Sequence, residues 1–166
     1  NADIDSNAYN GNDTKINFYD SAFARYLSML LYIYEKDFSS ANIDYKYISE
    51  LSAKYGVKLW SYHLPFGPFT QIDILNIDTK KYTLEYYREL IGKATDIGID
   101  KFIVHPSGEP ILPESREERM KCAEESLAEL TEIALKCGAK IAVEDLPRTC
   151  LGRNSAEIAE LISLDD

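Results

Sequence analysis

One small module recurs three times along this chain, and it constrains the fold more than any other feature. A glycine closes an amphipathic segment, a short apolar stretch follows, then a polar residue and a proline. The glycines are Gly56, Gly98 and Gly138, spaced 42 and 40 residues apart. The polar residues are His63, His105 and Glu144, spaced 42 and 39 apart, and the prolines are Pro65, Pro106 and Pro147. A period near 40 suits a βα unit, in which a parallel strand needs a long helical crossover before its neighbour. Stretches such as FIV and IAV have no polar alternation, as expected of parallel strands covered on both faces.

Each module can be divided into elements. Ile43, Tyr47, Ile48, Leu51 and Tyr55 form a helical stripe that Gly56 stops, and 57–63 (VKLWSYH) reads as a strand. A helix is expected from about Thr79 to Ile97, ending at Gly98, with a strand at 101–105 (KFIVH). A further helix is expected to start near Ser115, where Ser115 and Glu118 have capping-box spacing, and to end at Gly138. The strand AKIAVE (139–144) follows, and a last helix starts at Asn154 with Glu157 three residues on, again a capping-box spacing. Before the repeat, 1–15 is rich in Asn, Asp and Gly and reads as an irregular N-terminal arm. Residues 16–38 carry apolar and aromatic side chains at helical spacing, although MLLYIY within them also fits a buried strand. The expected organisation is an arm at 1–15 and one domain over 16–166.

Charge and cysteine content narrow the functional classes. There are 18 Lys and Arg against 28 Asp and Glu, a formal net charge of −10. An acidic surface opposes phosphate-backbone binding, so a nucleic-acid partner is not expected. No apolar run approaches the ~18 residues of a membrane span, so no membrane role is expected. Cys122 and Cys137 fall on one expected helix, 15 residues apart, or roughly 22 Å at ~1.5 Å per residue. That distance is beyond disulfide reach. Three sparse cysteines and no basic, then apolar, opening segment predict a reducing, cytoplasmic setting.

The polar member of each module falls where parallel α/β folds keep their chemistry, at the C-terminal ends of strands. His63 and His105 are the only histidines in the chain. With Glu144 they occupy the same place in successive units, which predicts one shared site.

These residues carry a resemblance. The segments WSYHLPFGPF (60–69), FIVHPSGEPI (102–111) and AVEDLPRT (142–149) resemble the xylose isomerase-like TIM barrels, a family of sugar phosphate isomerases and epimerases that also contains endonuclease IV-type nucleases. The resemblance covers about 43–163. It implies an α/β fold, the (β/α)8 TIM barrel of the xylose isomerase-like type, here a partial barrel of three to four βα units. A closed barrel takes about 250 residues, more than are present. It also implies that Glu144 is a divalent-metal ligand, and that His63 and His105 stand near the substrate as in the isomerases, or bind zinc as in the nucleases. Further ligands in the family, an Asp, a His and a Glu, come from later strands. Where relatives have Asn after this Glu, the chain has Asp145, an extra acidic group.

The implied reaction is isomerisation or epimerisation of a sugar or sugar phosphate. A proton leaves the carbon beside a carbonyl, and Mn, Mg or Zn stabilises the enediolate charge. Glu144 is then both metal ligand and catalytic acid/base, while His63 and His105 bind substrate. Trp60, with Phe66 and Phe69, offers an apolar wall for the sugar. Arg148, and beyond it Arg153, offer guanidinium forks for a phosphate; Glu109 and Arg116 read as solvated loop charge. An exposed sheet edge in a partial barrel predicts a covering partner, with a homodimer as the simplest form. The alternatives are an endonuclease IV-like metal phosphodiesterase, which the net charge opposes, and an inactive half-barrel that only binds.

Overall fold

The fold was analysed in a computed structural model that describes residues 45–68 and 70–163. The expectations for the arm at 1–15, the helix at 16–38, Phe69, and the last residues 164–166 lie outside them. The chain divides into two units at Lys58 and Leu59. In the first, the described element is helix α1 (Tyr45–Tyr55), with Leu51 buried and the Ser52 hydroxyl donating to the Val57 carbonyl at 2.6 Å.

The second unit runs β1 (Tyr62–His63), α2 (Ile77–Asp96), β2 (Lys101–Val104), a 3-10 turn at Pro113–Ser115, α3 (Arg116–Lys136), β3 (Lys140–Val143) and α4 (Ser155–Ile162). The strands form one parallel sheet in the order β1-β2-β3, with each crossover made by a helix. The expected βα repeat is present. Strand β1 is shorter than the expected 57–63. Tyr62 pairs with Phe102, and β2 begins one residue earlier at Lys101, so among the described residues the ladder does not extend N-terminal to Ser61.

Helix packing follows the apolar spacing. Leu84, Tyr87, Ile91 and Ala94 make a buried stripe on α2, and Ala123, Leu127, Leu130 and Ala134 make one on α3. Phe102 and Val104 of β2 are both 0% exposed against these layers, and the burial of Phe102 alone contributes about 2–3 kcal/mol. Their neighbour Ile103, which points to the other face, is only half-buried, and Ala142 beside it is exposed. The second face of the sheet is therefore not covered by helices among the described residues. None of the described helices is long and apolar enough to cross a membrane. All three cysteines are free.

The caps explain where the elements begin. α2 starts two residues before the expected Thr79, because Asn76 caps it: its side-chain oxygen accepts from the Thr79 amide and hydroxyl, both at 3.0 Å. The Ser115 capping box does not form. The 3-10 turn leads directly into α3, and the Ser115 hydroxyl donates backwards to the Leu112 carbonyl at 3.1 Å. At α4 half of the box forms. Asn154 accepts from the Glu157 amide at 3.0 Å, but the Glu157 carboxylate turns away to other donors. Gly138 ends α3 at φ 73°, in the left-handed region that costs other residues energy.

Glu157 is the knot of this end of the molecule. Its Oε2 accepts from Arg116 Nη2 at 2.6 Å, the Gly152 amide at 3.1 Å and the Arg153 amide at 3.3 Å, and its Oε1 accepts from Arg153 Nε at 2.9 Å. Arg116 also donates to the carbonyls of Thr149 at 2.8 Å and Cys150 at 3.0 Å. The loop after β3 is thereby tied to the first turns of α3 and α4. Arg116, read from sequence as solvated charge, is structural, and Arg153 donates its Nε to Glu157.

Burial pushes the Glu157 carboxyl up, but Arg116 and the Arg153 amide and side chain outweigh it and hold the group below the ordinary 4.5. A depressed carboxylate stabilises the fold at neutral pH, and that contribution disappears as pH falls through the depressed value. Replacement E157Q is expected to cost about 2–3 kcal/mol at pH 7 by urea denaturation. The gap between variant and wild type is expected to shrink as pH falls below 4.5. Replacement G138A should cost about 1 kcal/mol in the same measurement, with no pH dependence.

Candidate functional site

The register of the sheet builds the site. His63 pairs with Ile103, and Ile103 pairs with Ala142, so one cross-strand row lies on the face that the helices leave uncovered. Side chains alternate along a strand, so two residues further on the chain returns to the same face. Those residues are His105 and Glu144, each the first residue beyond its strand. The Glu144 amide still donates to the Val104 carbonyl at 3.0 Å, and the Leu64 amide to the Ile103 carbonyl at 2.8 Å, which holds the strand ends in line.

The three side chains meet. Nε2 of His63 lies 2.7 Å from Glu144 Oε2, and Nε2 of His105 lies 3.1 Å from the same oxygen. One ligand atom from each lies within 4.8 Å of the others, a group that could hold a metal ion. Nδ1 of His63 lies 2.8 Å from the Leu64 carbonyl, which can only accept, so its proton is assigned to Nδ1. Nε2 of the neutral ring is then a bare lone pair facing a carboxylate oxygen. Two acceptors at that distance need a proton or a bound cation between them. Burial pushes the His105 imidazole below its ordinary 6.5; Glu144 opposes this and His63 adds to it. Burial thus favours the neutral imidazole of His105, the form that ligates metals. The donor set fits a divalent cation.

Phe66 covers the pair. Its ring stacks on His105 at 4.3 Å and 27° and meets His63 edge-on at 5.4 Å, and it is 66% exposed. Trp60 is elsewhere. It precedes β1 and is 59% exposed, with the Lys101 ammonium 4.2 Å above its ring at the N-terminal start of β2. The structure brings His63, His105, Glu144 and Phe66 together and leaves Trp60 at the opposite end of the strands. The signal lay in strand polarity: Trp60 comes three residues before His63, on the entry side.

Beside His105 is a cavity of about 370 Å3, with Phe66, Pro68, Leu146 and Pro147 among its apolar walls and Thr70, Gln71 and Ser107 among its polar ones. Arg148 stands at its edge at φ 60°, a left-handed backbone unusual for a side chain of this size and a common mark of functional loops. Sequence reading missed the residues that hold these walls. Asp73 is 0% exposed and paired with Arg119, whose Nη2 also reaches Gln71 Oε1 at 3.4 Å while Nη1 reaches the Pro110 carbonyl at 3.4 Å. Burial pushes the Asp73 carboxyl up, with Arg119 pulling the other way. Gly108 leaves room for the Gln71 amide, which a Cβ at that position would meet at 2.1 Å. Tyr87, fully buried on α2, shares its hydroxyl proton between the Pro65 and Thr70 carbonyls at 2.6 and 2.7 Å. Ser107 accepts from the Leu151 amide at 2.8 Å. These contacts link distant loops, and no local motif signals them.

A search of curated proteins found no match to the chain. Among solved structures it is similar to a D-tagatose 3-epimerase-like protein, with 29% identity and a TM-score of 0.66 over 74% of this chain and 46% of that one. It is also similar in fold to a D-psicose 3-epimerase from Clostridium cellulolyticum H10, solved with D-tagatose, at 16% identity and a TM-score of 0.59 over the same shares, 74% and 46%. The chain thus spans about half the length of these structures. Residues 23–165 match the family model described as xylose isomerase-like TIM barrel. Given that match, its three parallel strands joined by helices, and its polar residues gathered at the strand ends, the chain belongs to the xylose isomerase-like TIM barrel family.

Proposed function

We propose that this chain carries part of the active site of a metal-dependent sugar or sugar phosphate isomerase or epimerase. The observation that carries the reading is the convergence of His63 Nε2 and His105 Nε2 on one carboxylate oxygen of Glu144. Two imidazoles and a carboxylate suit Zn or Mn better than Mg, which prefers oxygen alone. His63, His105 and Glu144 would hold the cation. When bound, it supplies Lewis-acid stabilisation of the negative charge that develops as a proton leaves the carbon beside a carbonyl.

The chain's own groups supply the rest. His63 has Nε2 toward the cation and Nδ1 on the Leu64 carbonyl, so it and His105 serve as ligands that stand beside the substrate on the uncovered face of the sheet. Both contact Oε2 of Glu144, so Oε1 is the oxygen suited to take and return the proton. Phe66, rather than Trp60, gives an apolar face to the C–H side of a sugar. The likeness to a D-tagatose 3-epimerase-like protein supports a sugar as substrate. The net charge of −10 speaks against the nuclease reading. Strand β3 has no further partner among the described residues, and a second copy or further strands of a longer protein would cover that edge.

Two measurements test this reading. By calorimetric titration of Mn2+ or Zn2+, the chain is expected to bind metal weakly through these three ligands. Replacement E144Q or H105A should weaken binding by about tenfold or more. In D2O, the intact protein with Mn2+ should exchange deuterium into a ketose at the carbon beside the carbonyl, and E144Q should slow this by about 10²–10⁴-fold. Metal affinity indifferent to both replacements, with no exchange in any sugar, would leave an inactive binding half-barrel as the better account.

A further inference from the structure

The cavity beside His105 carries an ion pair whose placement bears on which sugars can enter. Among the described residues lining it, apart from His105, the charged side chains are Glu109, from the loop after β2, and Arg148, from the loop after β3. Nη2 of Arg148 lies 3.4 Å from Glu109 Oε2. The other oxygen, Oε1, accepts from the Thr149 hydroxyl at 3.4 Å. Glu109 thus takes hold of the neighbouring loop with both oxygens, across the cavity edge. Arg148 is 75% exposed and Glu109 32%, so the pair is open to whatever enters.

We propose that the Glu109–Arg148 pair is a charge filter that admits an uncharged polyol and rejects its phosphorylated form. The inference rests on the sugar reading above and extends it to a specificity-determining pair. A phosphate site needs a guanidinium fork free to make two parallel bonds. Here the one guanidinium of the cavity is matched by a carboxylate, and a dianion that approached Arg148 would also approach Glu109. Like charges brought together at a binding surface disfavour the wrong ligand strongly. The remaining lining suits an uncharged sugar. Thr70, Gln71 and Ser107 offer hydroxyl and amide partners, and Phe66, Pro68 and Leu146 offer apolar faces. The left-handed backbone at Arg148 (φ 60°) and the grip of Arg116 on the next two carbonyls fix the loop that presents the guanidinium.

The test compares D-fructose with D-fructose 6-phosphate, and uses inorganic phosphate as a third probe, by calorimetry on the intact protein with Mn2+. The free ketose is expected to bind about tenfold or more tightly than its phosphate. E109Q removes the opposing carboxylate and should reduce that preference by about fivefold. R148Q removes the cation alone and should increase it. Opposite movement of the two variants is a signature that simple damage to the loop does not produce, and because Arg148 is exposed, R148Q keeps the test open should E109Q fail to fold. Equal or tighter binding of the phosphate, displacement of the ketose by inorganic phosphate, or variants that shift the preference in the same direction would overturn the filter while leaving the sugar reading intact. If neither sugar binds the metal-loaded protein, the sugar reading itself fails, and the filter with it.

Discussion

The register between neighbouring parallel strands governs everything else in this protein. Backbone hydrogen bonds set Tyr62 against Phe102 and Phe102 against Ile141, and this alone decides which side chains share a face. A slip of one residue in either ladder would turn a strand's whole apolar set outward. It would also send His105 or Glu144 to the helix side, where Phe102 and Val104 now fill the core. Packing and site therefore depend on one alignment. The buried aromatic and aliphatic groups on one face stabilise the register that brings the polar groups together on the other.

The loops beyond the strands are held by charged groups as well as by apolar packing. Arg116 and Arg119 look in sequence like the solvated charges of an outer helix. In the structure they reach across gaps of 33 to 48 residues to the Thr149 and Cys150 carbonyls, to Gln71 and to Asp73. Arginine suits this work because its planar fork satisfies several carbonyls at once, which a lysine at the same place would not. The arrangement leaves the loop backbones exposed to a ligand while their ends stay fixed.

The sequence made some of this legible and hid the rest for physical reasons. The repeat of glycine, strand, polar residue and proline located all three strands and the row of His63, His105 and Glu144, because strand periodicity and helix termination are local properties. The caps at Asn154 and the stop at Gly138 were local in the same way. Ser115 carried the right spacing for a cap, but Pro113 favours the tight turn before α3, and the serine is drawn into that turn instead. Trp60 was placed in the site on residue type; its position before the strand puts it at the other end. The roles of Glu109, Asp73 and Arg119 depend on contacts between segments far apart in the chain, and nothing in their own neighbourhoods announces them.

One further consequence follows from where α3 takes hold. Arg116 and Arg119 lie on a single turn of that helix, and between them they grip the loops after all three strands: Gln71 and Asp73 after β1, Pro110 after β2, and Thr149 and Cys150 after β3. The cavity rim thus takes its position in part from one helix turn, alongside the Tyr87 hydroxyl of α2, so the three loops share a common anchor.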